Sequence, residues 1–310
     1  MTPAPPAHDL ARGLRAGTLA FAMWGLLTIY WKQLTSFNAL ELIGWRIASA
    51  SVVMAVVVTV RRRWPTIRAA FADRALAIRI TIAAGLLTAN WTAYVYAVVH
   101  GRVIETALGY FMAPLGTMVL GITVLKERPS SAQKVAIALG AIAVVELTAS
   151  YGRLPISALV MAASWSVYGL LKRRVPLPAI EGFAAESFIL VVPAVIVIAA
   201  TAGMADSIPQ SADAAHLALV SFAGISTAVP LILFAFAATR VPLTVLGPLQ
   251  YLVPTINFLL GWALYDEELP AARLFGFGMV WAALLITTVE SVRSTVTRRA
   301  ASRVPAVSAD

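Results

Sequence analysis

Ten apolar stretches of helix length, parted by short polar or basic segments, leave this chain few ways to fold. Each approaches the roughly 20 residues that carry a helix across about 30 Å of hydrocarbon. They run over 13–34, 38–60, 75–99, 102–125, 130–148, 154–172, 179–202, 217–239, 243–265 and 271–291. Hydrophobic residues make up 60% of the 310 residues and charged residues 13%. A protein surrounded by water has no place to hide that much apolar surface. The other spanning structure, a closed barrel, needs segments of alternating polarity, and none is visible. The expectation is an all-α integral membrane protein with ten transmembrane helices.

Charge supplies the orientation. Basic residues crowd the termini and the even-numbered loops: Arg61, Arg62, Arg63, Arg68 and Arg74 after the second stretch, Lys126 and Arg128 after the fourth, Lys172 to Arg174 after the sixth. The odd-numbered loops hold only Lys32, Arg102, Arg153 and Arg273. Lys and Arg accumulate on the cytoplasmic side, so both termini are expected there, in a bacterial plasma membrane. The same bias accounts for the net charge of +9 without a nucleic-acid partner. With no cysteine there is no disulfide or thiol chemistry, and His8, His100 and His216 are too scattered to hold a metal.

The stretches repeat. Leu108 to Glu127 and Leu246 to Glu267 match at an offset of 140, with Pro114 answering Pro254, Gly121 answering Gly261 and Glu127 answering Glu267. The register extends to Glu41 and Glu181, Arg46 and Glu186, Tyr110 and Gln250, and Ala143 and Ala283. Residues 13–149 and 150–291 thus form two five-helix halves, flanked by a cytoplasmic tail at 1–12 and a disordered one at 292–310. Five crossings per half force equivalent helices to run in opposite directions. Inverted repeats of this kind occur in many secondary transporters, with the substrate site near the midplane between halves.

Several motifs resemble the RarD family of EamA-type transporters, in the drug/metabolite transporter superfamily. They include Trp24 to Leu27, the ELIGWR element from Glu41 to Arg46, Asn90-Trp91 with Tyr94, and LGYF at Leu108 to Phe111 followed by Pro114. LKER at Leu125 to Arg128, Tyr168 to Lys172, and LGPLQYLVPT at Leu246 to Thr255 continue the pattern. The resemblance covers nearly the whole chain. It implies ten helices as two inverted five-helix repeats and an exporter without ATP hydrolysis, and it does not specify the substrate.

Ionisable groups inside the membrane are the first candidates for a site, because each costs about 2.5–3.5 kcal/mol at the bilayer centre on insertion scales. Arg46 and Glu186 fall near the midplane, where they either pair across the cavity or meet a charged substrate group. Glu41 and Glu181 lie nearer the helix ends and are expected to be solvated. Glu105 is either a proton-titrating carboxylate, like Glu186, or a rim residue. Asn90, Trp91, Tyr94 and Tyr110 in the first half, and Trp165, Tyr168, Gln250, Tyr251 and Asn257 in the second, bring aromatic faces and hydrogen-bonding edges into apolar helices. Such groups can stack on and orient a small organic molecule. No phosphate-binding loop, zinc motif or nucleophile–base pair is present. The expectation is a secondary transporter, not an enzyme, with no cofactor. Its partners are a small-molecule substrate, the lipid bilayer and, in a coupled cycle, protons. A non-transporting receptor or accessory subunit is the alternative.

Overall fold

The computed structural model describes residues 7–301 except 125, 127, 173, 239 and 242–248, with the backbone alone at 7, 8, 238 and 291–301. Glu127 and the Leu246 to Pro248 part of the second repeat motif therefore lie outside the described residues. Every regular element described is helical. The helices are α1 (Ala7–Lys32), α2 (Ala39–Val60), α3 (Trp64–Ala72), α4 (Arg74–Val99), α5 (Val103–Thr123) and α6 (Ser131–Tyr151). They continue with α7 (Ile156–Lys172), α8 (Ala179–Thr201), a single turn α9 (Ile208–Ser211), α10 (Ala214–Ala238), α11 (Leu252–Leu259) and α12 (Ala271–Ala301). A π-helical turn, Leu260–Leu264, extends α11.

The helix starts follow from local chemistry. Asn38 accepts hydrogen bonds from the Leu40 and Glu41 amides and opens α2, and Asp73 does the same for Ala75 and Leu76 at α4. Ser130 and Gln133 form a reciprocal capping box at α6. These side chains satisfy amides that have no partner inside their own helix. Gly152, at φ 64°, ends α6 in the left-handed region where a Cβ would be strained.

Seven helices, α2, α4, α5, α6, α8, α10 and α12, are long and apolar enough to cross a membrane. The apolar α7 and the Leu252–Leu264 segment are shorter, and α1 is not in the set. Outward faces carry Val52, Val56 and Val60 on α2 and Val192, Val195 and Ile196 on α8. Such rows suit hydrocarbon and not water. Two elements fall where loops were expected: α3 inside the basic stretch 61–74, and α9 inside 203–216. The backbone of α12 runs on helically to Ala301, beyond the expected end at Ser291.

The chain forms two compact units. In one, Met1–Thr117 with Pro155–Glu268, α2 packs on α8 and α10, α4 on α7 and α8, and α1 on α10 and α11. In the other, Met118–Leu154 with Leu269–Asp310, α6 packs on α12, with the Leu147 side chain on Gly276 and the Arg273 guanidinium 4.3 Å above the Tyr151 ring. An apolar cleft of about 550 Å³ in this second unit is lined by Leu139, Leu274, Phe275 and Met279 among others, and by none of the expected site residues.

The tightest helix approach is at Gly224 on α10, where an added Cβ would press on the Ser49 carbonyl and the Ala50 nitrogen of α2. Backbone atoms cannot rotate away. Gly224→Ala is therefore expected to cost about 1–3 kcal/mol, the range of an overpacked core. Gly85→Ala, whose Cβ would meet nothing within 4 Å, is expected to be neutral or slightly stabilising. Thermal unfolding of the two variants in detergent compares them directly.

Candidate functional site

Arg46 lies two turns into α2 and is 4% exposed. Its guanidinium carbon lies 4.3 Å from the centre of the Trp91 ring on α4 and 5.4 Å from that of Trp31 on α1. Nε donates to Thr227 Oγ1 of α10 at 3.1 Å. That hydroxyl spends its own hydrogen on the Ala223 carbonyl, which leaves its lone pairs for the arginine. Nη1 of Arg46 is buried with no acceptor, and so is the indole Nε1 of Trp31. Among the described residues no carboxylate pairs with Arg46.

Three tyrosines, Tyr30, Tyr94 and Tyr110, pack in the same cluster as Trp31 and Trp91. Tyr30 donates its hydroxyl to the Leu219 carbonyl at 2.8 Å. Tyr94 shares a 2.8 Å bond with Thr28, and Thr28 donates to Asn257 Oδ1 at 2.9 Å. Asn257 Nδ2 donates to Thr106 at 3.2 Å, so one chain of bonds joins α4, α1, α11 and α5 and occupies both ends of the amide. Tyr110, whose ring stands 6.1 Å from that of Tyr94, has a hydroxyl with no partner among the described residues. Asn90 donates from Nδ2 to the Met161 carbonyl at 3.0 Å and to Ser164 at 3.3 Å. Its Oδ1 is buried and accepts nothing.

A second charged cluster sits on α7 and α8. Glu186, 1% exposed, receives Lys172 Nζ at 2.7 Å and the Tyr168 hydroxyl at 3.1 Å. Tyr168 and Lys172 are one helical turn apart, which puts both on the same face of α7. Arg46 and Glu186 match in the repeat, yet they do not pair with each other. Each has its own partners.

Glu41 and Glu181 are buried, which corrects the expectation that they are solvated. Glu41 is fully buried; it accepts from the Trp45 indole at 3.2 Å and from the Ile208 amide at 3.0 Å. Glu181, 4% exposed, faces Arg63 at 3.4 Å. Glu105, 1% exposed, accepts from the Ser157 amide at 3.0 Å, and Glu267 accepts from the Val103 and Ile104 amides. Glu41, Glu105 and Glu267 thus each satisfy the first amides of a helix elsewhere in the chain, where the helix dipole favours a negative charge. Each of these three caps joins a residue before 150 to one after it.

Glu41→Gln keeps one carbonyl oxygen for the two donors that the carboxylate now serves. It is expected to cost about 1–3 kcal/mol, the penalty of a buried unsatisfied group, read by thermal unfolding in detergent. A midpoint equal to that of the native protein would show that Glu41 does not hold this contact.

Like Glu186, four further expected site residues have neighbours other than Arg46. Trp165 is 37% exposed and stacks on Tyr168. Gln250 is exposed, Tyr251 stacks 6.5 Å from Phe111, and Tyr168 belongs with Glu186. Trp31, Thr28 and Thr227 belong to the cluster and were not expected. Trp24, Thr28 and Trp31 lie at i, i+4 and i+7 on α1, a one-face spacing that would have flagged two of them.

Residues 11–148 match the EamA-like transporter family. Protein RarD of Streptomyces exfoliatus is 36% identical over 96% of this chain and 94% of its own length. The chain belongs to the RarD family of EamA-like transporters. Protein RarD of Escherichia coli strain K12 is 31% identical over 92% of this chain and 97% of its own. An uncharacterized transporter, YojE of Bacillus subtilis, is 36% identical over 92% and 96%. A solved crystal structure superposes with a TM-score of 0.55, covering 90% of this chain and 98% of the other at 17% identity, a likeness of fold alone. As a member of the RarD family the chain is a multi-pass membrane transporter, which implies a small-molecule substrate and a lipid environment.

Proposed function

We propose that the chain is a secondary exporter that moves a small organic molecule by alternating access, binding it beside Arg46. The observation that carries this reading is the buried guanidinium on α2 whose Nη1 has no partner among the described residues, walled by Trp31 and Trp91 and contacted from α1, α4 and α10. Asn90, Trp91, Tyr94 and Tyr110 complete the first-half wall in this reading. Trp165, Tyr168, Gln250, Tyr251 and Asn257 are assigned to the second half, with Asn257 acting through its bonds to Thr28 and Thr106.

The order of helix packing supports two inverted halves of five helices. Exchanging α1 with α7, α2 with α8, α4 with α10 and α5 with α11 turns the α1–α10 pair into α7–α4 and the α2–α10 pair into α8–α4, and all four pairs occur. The α1–α11 pair becomes α7–α5, where Ser166 donates to the Ala113 carbonyl. Equivalent helices α2 and α8 pack on each other, as do α6 and α12.

With both termini in the cytoplasm, the caps by Glu41, Glu105 and Glu267 lie on the outer side and tie the halves together there. The substrate then enters from the cytoplasm, as an exporter requires, and release needs these caps to open. Coupling to protons is assigned to Glu186, since its partner Lys172 is 24% exposed and can yield to a proton, while Glu105 is committed to α7. Counterflow of a metabolite panel in proteoliposomes, with and without a pH gradient, tests the reading. Saturable, protein-dependent exchange is expected, and Glu186→Gln should keep exchange while losing its response to the gradient. Absence of exchange for every solute would remove the proposal.

A further inference from the structure

The charge balance around Arg46 points to the class of molecule it receives. The other buried charges among the described residues are answered: Glu186 by Lys172, Glu181 by Arg63, and Glu41 and Glu105 by helix amides. Arg46 is buried, and the polar group that it meets is a threonine that accepts one bond. Two buried donors, Arg46 Nη1 and Trp31 Nε1, lack acceptors among the described residues, against one buried acceptor without a donor, Asn90 Oδ1, and only the arginine carries a charge. A cationic ligand would add to this imbalance, and a neutral one would leave the arginine charge uncompensated in a low-dielectric interior.

We infer that Arg46 receives a small organic anion, its carboxylate or similar oxyanion on the guanidinium edge and its flat apolar body against the indoles of Trp31 and Trp91. A guanidinium stacked on an indole keeps its N–H groups in the ring-parallel plane, free to meet an oxyanion edge-on. Here Nε already serves Thr227 and Nη1 has no acceptor among the described residues. The surrounding aromatic walls favour a body with a π face over a bare ion. This inference rests on the carrier reading above and names the substrate class of the same site.

The test is calorimetric titration of the full-length protein in detergent with benzoate, benzamide, benzylammonium, acetate and chloride, followed by counterflow with the same five solutes. Benzoate is expected to bind at least about tenfold more tightly than benzamide, since a charge-assisted bond is at stake. Benzylammonium, acetate and chloride should be weaker still. Arg46→Gln should lower benzoate affinity about tenfold and leave benzamide within about twofold. Equal binding of benzoate and benzamide in the native protein, or no benzoate binding at about 10 mM, overturns the inference without any variant. Chloride or acetate matching benzoate overturns the organic body and assigns the site to a bare anion. Counterflow of benzamide or benzylammonium but not benzoate overturns the anion and leaves the carrier standing. Selective benzoate binding with no counterflow of any solute supports the anion and removes the carrier.

Discussion

Arg46→Met is expected to abolish transport while leaving the protein as stable as before, or more so. The two effects have one origin. A guanidinium near the bilayer centre costs about 2.5–3.5 kcal/mol on insertion scales, and here no carboxylate offsets it; one threonine bond and two indole faces do so only in part. Methionine fills much of the same volume between Trp31 and Trp91 without the charge, and replacing buried charges with well-packed apolar groups is often neutral or stabilising. Thr227 loses only a donor and keeps its bond to the Ala223 carbonyl. Transport should fall at least about tenfold, the loss of one charge-assisted contact to substrate. An unchanged or raised unfolding midpoint with lost transport is the mark of a residue kept for function. A lowered midpoint with transport intact would make Arg46 a structural residue.

The opposite pattern is expected at Lys172. Lys172→Ala strands Glu186 at 1% exposure with only the Tyr168 hydroxyl at 3.1 Å. Breaking one side of a buried pair typically costs about 3–5 kcal/mol, because the remaining charge has no compensation. The side chain of Lys172 is 24% exposed, so water reaches the site in part and the lower end of that range is expected. The double variant Lys172→Ala with Glu186→Gln removes the stranded charge and should recover most of the loss. The coupling in this double-mutant cycle, measured by thermal unfolding in detergent, separates the ion pair from simple packing. Additive effects of the two substitutions would mean that the pair contributes nothing as a pair.

Hydropathy made the spans legible because the bilayer selects for it directly: α2, α4, α5, α6, α8, α10 and α12 begin and end close to the limits of their apolar runs, apart from the extension of α12 past Ser291. Helix α3 was hidden inside a basic stretch, although Pro65 in its first turn and the buried Ile67 and Ala70 are helix signals read afterwards without difficulty. Within the site, Arg46 and the Asn90–Tyr94 face of α4 were visible as polar groups in an apolar run. The partners were not. Repeat alignment relates Arg46 to Glu186, but equivalence under a repeat is not contact, and each found a nearer partner. Glu41 was judged by its distance from the helix end, whereas its burial comes from α9, a single turn in a loop far along the chain. Helix amides that need a carboxylate from elsewhere leave no local pattern.

Alternating access, as proposed, requires two halves to move against each other around Arg46. The absence of native cysteine makes a clean test available. The Asn38 amide donates to the Asp206 carbonyl at 3.2 Å, so these residues of opposite halves are neighbours at the end tied by Glu41. Cysteines replacing Asn38 and Asp206 can then be joined by oxidation, within the reach of a disulfide. The reduced protein should perform counterflow in proteoliposomes, the oxidised protein should not, and reductant should restore it. Counterflow that continues undiminished in fully cross-linked protein would mean that transport does not need these two segments to part.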